Sequence, residues 1–266
     1  MPVSTTTAQT ASLFDRTPLV IAALHLPDLR AEKHSLPALE DYLLDNMRVF
    51  VESGVPAVMI QDQTREARAA SVETVATMAS LTRSARREFP DVAIGIIVQA
   101  HDAEAPLAIA HASGASFVRL KVFVGAVMTS EGIREALGVR ARNYREELGR
   151  ADIAILADIH DRTSVPMGDV SLKQACHWAQ GLGADGLVLT GADFSDSLTR
   201  VRAARNAGIE RPLLIGGGVD IGNVRQALAM ADGVIVSRAL MRDGNGPLRW
   251  DDARARRLMD VARSER

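Results

Sequence analysis

Two cations and two proton carriers in the middle of the chain are spaced for joint chemistry. In SFVRLKVF (116–123) Arg119 and Lys121 stand two residues apart in an otherwise apolar run. In IAILADIH (153–160) Asp158 and His160 do the same. Side chains alternate faces along an extended strand, so each pair shares a face. Two cations cannot lie against packed helices without partners. The spacing therefore predicts a polar cluster of Arg119, Lys121, Asp158 and His160 on neighbouring strands. Such a cluster suits proton transfer next to a carbonyl: Asp158 or His160 moves the proton, and the cations hold an anionic substrate. Only three of the 31 basic residues are lysines, Lys33, Lys121 and Lys173, so a lysine inside an apolar strand stands out. Schiff-base chemistry is the alternative use of Lys121. A structural salt-bridge layer is the alternative use of the whole cluster.

A second signal lies near the C-terminus. Gly216, Gly217 and Gly218 end the run PLLIGGG (212–218), followed by Val219, Asp220 and Asn223 before a helical pattern. The next run, DGVIVSR (232–238), ends in Ser237 and Arg238. Glycines let backbone N–H groups approach anion oxygens closely, a helix N-terminus adds free donors, and Arg238 adds charge. These features predict a phosphate site formed by Gly216, Gly217, Gly218, Asn223, Ser237 and Arg238. The plainer reading is a tight strand–helix turn.

Further polar residues fall at the ends of apolar runs. His25 closes PLVIAALH (18–25) and joins the catalytic candidates. Asp62, Gln99, His101, Asp102 and Thr190 follow other runs. Of these, Asp62, His101, Asp102 and Thr190 are the substrate-binding candidates. Asp102 is also placed to cap a helix starting at Ala103. His34 reads as loop surface, and His111 and His177 fall inside helical patterns. No HxxxH or CxxC spacing is present, so neither a metal nor another cofactor is expected. Convergence of His25, His101, Asp158 and His160 on a metal is the weaker option.

The elements that must position these residues form one alternation. Eight apolar, β-branched runs (18–25, 56–62, 92–99, 116–123, 153–160, 185–191, 212–218 and 232–238) read as strands covered on both faces. Helical patterns stand between them, as in LEDYLLDNMRVFVES (39–53), which Gly54 ends. Eight strands alternating with eight helices predict a single-domain α/β fold, a (β/α)₈ TIM barrel over 18–266. Residues 1–17 are expected to be a flexible leader. The rival is a doubly wound open sheet, which usually carries its glycine-rich loop after the first strand; here the glycines come late. In the barrel, chemistry belongs at the C-terminal strand ends, where all the candidates above fall.

The 266 residues are 47% apolar and 24% charged, which excludes a mainly disordered chain. A formal net charge of −2 gives no reason to expect nucleic acid. The lone Cys176 cannot form an internal disulfide, so a reducing, cytoplasmic setting is expected. No apolar run is long enough to span a membrane. A homo-oligomer stays open, with no helix face to name as its interface.

The order of several segments resembles the BtpA/SgcQ family. These are ALHLPDL in the first strand and GIIVQAHDAEAPLAIAHASGASFVRLKVFVGAVMTSEGI through the third and fourth. ILADIH, GADGLVLTGAD, LLIGGGVDIGNV and ADGVIVSRALMRDG follow. The resemblance implies a (β/α)₈ barrel related to ribulose-phosphate-binding barrels. It carries over His25, Asp102, Arg119, Asp158, His160, Gly216, Gly218 and Asn223. The family usually has Asn-Asp at His101-Asp102, Asn-x-His at Lys121-Val122-Phe123, and Val-Lys-His at Asp161-Arg162-Thr163, which points to a different substrate. Two roles attach to the family: a factor in photosystem I biogenesis and a sugar-phosphate enzyme. The expected function is an enzyme acting on a phosphorylated small molecule, sugar phosphate or nucleotide-related, by isomerase or aldol/lyase-type proton transfer. The alternatives are a non-catalytic assembly factor and a nucleoside hydrolase or glycosyl-transfer enzyme using His25 and Asp158.

Overall fold

The computed structural model describes residues 12–29, 34–64, 68–160, 162–244 and 248–264. Its strands are β1 (Leu19–His25), β2 (Ala57–Gln61), β3 (Ala93–Ile97), β4 (Phe117–Leu120), β5 (Ala126–Thr129) and β6 (Gly132–Glu135). β7 (Ala154–Ile159), β8 (Val165–Pro166), β9 (Gly186–Leu189), β10 (Leu213–Ile215) and β11 (Gly233–Val236) follow. Eight of them close a parallel barrel in the order β1-β11-β10-β9-β7-β4-β3-β2. The expected (β/α)₈ barrel is therefore the observed fold.

Alternation along each strand sorts the apolar side chains into two layers. Leu19, Ile21, Met59, Phe117, Leu156 and Ile235 belong to the core inside the barrel. Val20, Ile60, Val118, Ile155, Leu189 and Val234 belong to the core between strands and helices. The interior is tightly filled: a Cβ on Gly95 would lie 2.1 Å from the Phe117 ring. Only glycine lets that ring occupy the centre.

The helices are α1 (Leu36–Glu52), α2 (Val72–Glu88), α3 (Ala105–Ser113), α4 (Gly138–Glu147), α5 (Leu172–Gly181), α6 (Phe194–Asn206), α7 (Val224–Met230) and α8 (Asp252–Arg263). Side chains of Ser35, Ser71, Ser171, Asp193 and Asp251 accept from backbone N–H groups at the starts of α1, α2, α5, α6 and α8. Each such cap is worth about 1 kcal/mol.

Three local features differ from expectation. The fourth strand ends at Leu120, so Lys121 to Phe123 lie beyond it. Before α4 the chain makes a β5–β6 hairpin, and β8 pairs with β5 to complete a three-stranded antiparallel sheet. Its strands are too short and too mixed in polarity to announce themselves by periodicity. Of the leader expected over 1–17, residues 1–11 lie outside the described residues. Leu13–Asp15 form a 3₁₀ turn, and the Leu13 side chain is buried in the interior core.

Candidate functional site

Continuing each strand's inward parity upward replaces the apolar interior with polar groups. His25, Gln61, Arg119 and Asp158 on four strands, and Gln99, Thr190, Gly216 and Ser237 just past the ends of the other four, stand in phase with inward Ala23, Met59, Phe117, Leu156, Ile97, Val188, Leu214 and Ile235. Contacts between neighbouring positions follow from this ring. Ser237 Oγ lies 3.2 Å from His25 Nε2. The Arg119 guanidinium donates to Asp158 through Nε (3.1 and 3.2 Å) and Nη2 (2.8 Å). A Cβ on Gly216 would meet Thr190 Oγ1 at 2.2 Å and Arg119 Nη2 at 3.3 Å. Gly216 is thus the position at which the Arg119–Asp158 pair, Thr190 and the glycine loop come together.

The expected four-residue cluster forms only in part. Arg119 and Asp158 pair as the parity argument requires. Lys121 donates to the side chain of Gln99, the ring position on β3. Among the described residues, no hydrogen bond or ion pair reaches the His160 ring; its carbonyl accepts from Arg200 Nη1 at 3.0 Å. The reason is visible in the backbone: Val122 has φ 46° and His160 φ 52°. Left-handed conformations are uncommon outside glycine and costly for a β-branched residue. They end the strand alternation at Val122 and at His160, so the face extrapolated for His160 no longer holds. Both positions lie at the C-terminal strand ends, where stored backbone strain is characteristic of functional sites.

Several binding candidates are consumed by the scaffold. Asp62 is fully buried and accepts from Gln99 N (2.7 Å), Thr64 N (3.2 Å) and the Thr64 hydroxyl. Burial raises its pKa, against the opposing pull of these bonds and of Lys121. Asp102 accepts from Glu104 N (2.8 Å), Ala105 N (3.0 Å) and Ala70 N (3.0 Å); it braces the turn leading into α3, which starts at Ala105 with Glu104 at its N-cap rather than at Ala103. Asn223 holds the glycine loop together: its Nδ2 donates to the Gly218 carbonyl (3.0 Å) and its Oδ1 accepts from Asp220 N (2.9 Å). His101 lies against the β5–β6 hairpin, near Arg134 and the Glu135 backbone; burial and then Arg134 lower its pKa.

Two histidines at the mouth are held neutral near pH 7. Burial lowers the His25 pKa to about 4, assisted by the charges of Arg249 and Arg238. Burial and then Arg200 lower that of His160. Arg238 itself is exposed.

The glycine loop carries the features of an anion cradle. The N–H groups of Gly217 and Gly218 donate to none of the described residues. Gly218 has φ +77°, a conformation that glycine supplies without strain. The Thr190 hydroxyl is buried without a hydrogen-bond partner among the described residues. The Arg162 guanidinium lies within 3.7 Å of where a Gly217 Cβ would stand. Arg162 is a residue that sequence reasoning passed over, apart from the departure at Asp161-Arg162-Thr163. It sits in a loop, where no periodicity assigns a direction. Asp161 lies outside the described residues.

A cleft of about 700 Å³ lies at the opposite end of the barrel, lined by Arg16, Arg205, Arg225 and Arg263 among others. None of the ring residues borders it. Among the described residues, no group of three or more His, Cys, Asp or Glu could hold a metal ion, and no helix is long and apolar enough to cross a membrane.

Comparison with known proteins agrees with the architecture. The photosystem I biogenesis protein BtpA of Synechocystis is 37% identical over 155 residues, which cover 57% of this chain and 54% of that protein. An uncharacterized protein of Archaeoglobus fulgidus is 31% identical over 250 residues, covering 92% of this chain and 98% of that one. Among solved structures, a ligand-free tryptophan synthase from M. tuberculosis aligns with TM-score 0.62 at 14% identity, covering 96% and 99% of the two chains. That likeness concerns the fold alone. A model of the BtpA family matches residues 16–264, and the chain belongs to the BtpA family.

Proposed function

We propose that the barrel mouth binds a phosphorylated small molecule and catalyses proton transfer on it, of isomerase or aldol/lyase type. The observation that carries the binding half is the conjunction at the glycine loop. Two backbone N–H groups without protein acceptors, a buried unpartnered Thr190 hydroxyl and the Arg162 guanidinium lie around one loop. The Thr190 hydroxyl is the buried group of this set, and leaving it without a partner is costly; the Gly217 and Gly218 amides and Arg162 lie nearer solvent, where a phosphate can reach them. Barrels of this architecture commonly hold phosphates with the loops after the last two barrel strands.

The catalytic half rests on the ring. Asp158 orients Arg119, whose guanidinium faces the mouth and stabilises an oxyanion as it forms. Lys121 adds a second cation to that side. Both Asp158 oxygens accept from Arg119, so the neutral imidazole of His25, which stands in the ring, carries the proton. Ser237 fixes the His25 ring.

A thermal-shift series with inorganic phosphate, sugar phosphates and nucleotides tests the reading. A ligand at 100 times its Kd adds about 2.7 kcal/mol. That is a rise of roughly 5–10 °C for a chain of this size. No response to any phosphorylated compound or to phosphate itself contradicts it.

A second reading, a non-catalytic assembly factor, draws on an apolar row across the small sheet. Met128 pairs with Ile133 on one side and Val165 on the other, and all three are exposed. Exposed apolar patches mark interaction surfaces. A stoichiometric protein partner lost in Met128→Lys and retained in Gly217→Asp favours that reading over the enzyme.

A further inference from the structure

The small sheet brings one cation to the mouth that the ring does not explain. Arg134 on β6 pairs across the hairpin with Val127, and both are buried, whereas Met128 and Ile133 on the other face are exposed. Arg134 is only 8% exposed. Its Nη2 pairs with Glu131. Its Nε is buried and donates to no described residue. A guanidinium is always charged and cannot shed the proton to relieve this.

Arg134 borders a cavity of about 160 Å³ between the small sheet and the ends of β3 and β4. Gln99, Lys121, Thr129 and Glu131 border it too. Volume for roughly five waters is present. Lys121 and Arg134 face one carboxylate on the walls, Glu131, and Lys121 also acts on buried Asp62, so the buried Nε–H of Arg134 is the donor that asks for an acceptor. A carboxylate oxygen is a strong acceptor for a charged N–H donor of this kind.

We propose that this cavity is a carboxylate subsite, and that the molecule held at the glycine loop carries a carboxylate as its second anionic group. The subsite stands on the Arg134 geometry; the two-anion substrate rests in addition on the phosphate reading above.

The test uses the full chain labelled with ¹⁵N-arginine, and glycerate as probe with glycerol as its uncharged control. The Arg134 Nε–Hε resonance is assigned by its loss in Arg134→Lys. Glycerate should shift it saturably, and glycerol should not. In calorimetry Arg134→Gln should weaken glycerate binding at least tenfold; if that variant does not fold, the wild-type titration alone decides. An Nε–Hε resonance unmoved by glycerate overturns the subsite. A parallel titration of ¹⁵N-glycine-labelled chain with inorganic phosphate reads the glycine loop. A phosphate response without a glycerate response sinks the carboxylate subsite alone; the converse keeps the subsite and sinks the phosphate reading. Finally, 6-phosphogluconate should bind at least tenfold tighter than sorbitol 6-phosphate, and Arg134→Gln should erase the difference. Equal binding overturns the two-anion substrate.

Discussion

Replacing Asp158 by Ala tests whether the ring is built around an ion pair. The Asp158 side chain is 1% exposed and that of Arg119 11%. Three donor–acceptor distances between 2.8 and 3.2 Å join them. Removing the carboxylate takes the bidentate acceptor from a largely buried guanidinium. Breaking a buried pair from one side costs about 3–5 kcal/mol, because the surviving charge loses its compensation. For a chain of this size that lowers Tm by roughly 6–20 °C. Replacing both partners by apolar residues of similar volume, Arg119→Met with Asp158→Leu, removes both desolvation costs. The double variant should therefore be more stable than either single one, with strongly non-additive losses. Urea unfolding of the four proteins measures this directly. Additive losses, or a loss below about 1 kcal/mol for Asp158→Ala, the range of an exposed ion pair, would refute the pairing argument.

Thr190→Val exchanges a buried, unpartnered hydroxyl for a methyl of the same shape. It should leave unfolding stability unchanged or raise it by about 1 kcal/mol, while weakening phosphate binding by about tenfold or more in calorimetry; loss of stability with unchanged binding would contradict the site. The His25 pKa of about 4 lies below its ordinary 6.5, so the unfolded chain takes up that proton first. The stabilisation is full above pH 6.5 and is lost as pH falls toward 4, by up to roughly 3 kcal/mol at about 1.4 kcal/mol per pKa unit. His25→Asn should flatten that part of the stability–pH curve, and an unchanged curve would refute the burial argument. Gly95→Ala forces a methyl into the Phe117 ring and should cost about 1–3 kcal/mol, with part of the loss recovered by Phe117→Leu; an unperturbed Tm would show that the interior is looser than its geometry indicates.

The barrel was legible because its strands are covered on both faces and read as unbroken apolar runs between turn residues. The same alternation placed Arg119 and Asp158 inside, and Thr190 and Gly216 followed from their strands. Alternation stops giving faces where strand geometry stops: Lys121 still reaches the ring residue Gln99, but His160 itself turns into the left-handed region. Asp62 and Asp102 have the residue type of binding groups but spend their oxygens on backbone N–H groups. Only Asp102 advertised this, by standing just ahead of a helix. The Asp220–Asn223 spacing, three residues apart in a glycine-rich loop, was the corresponding signal for Asn223 as a brace. Arg162 and the hairpin bearing Arg134 had no periodicity to reveal them. Both reach the mouth through tertiary packing that no local pattern encodes.

Phosphate binding at the glycine loop decides between the enzyme and the assembly-factor readings. ¹H–¹⁵N spectra of the glycine-labelled chain, recorded during titration with inorganic phosphate, test it most directly. Saturable shifts of the Gly217 and Gly218 amides are expected, with a weaker response in Thr190→Val. Amides that stay in place while phosphate binds elsewhere, or does not bind at all, would contradict the phosphate reading.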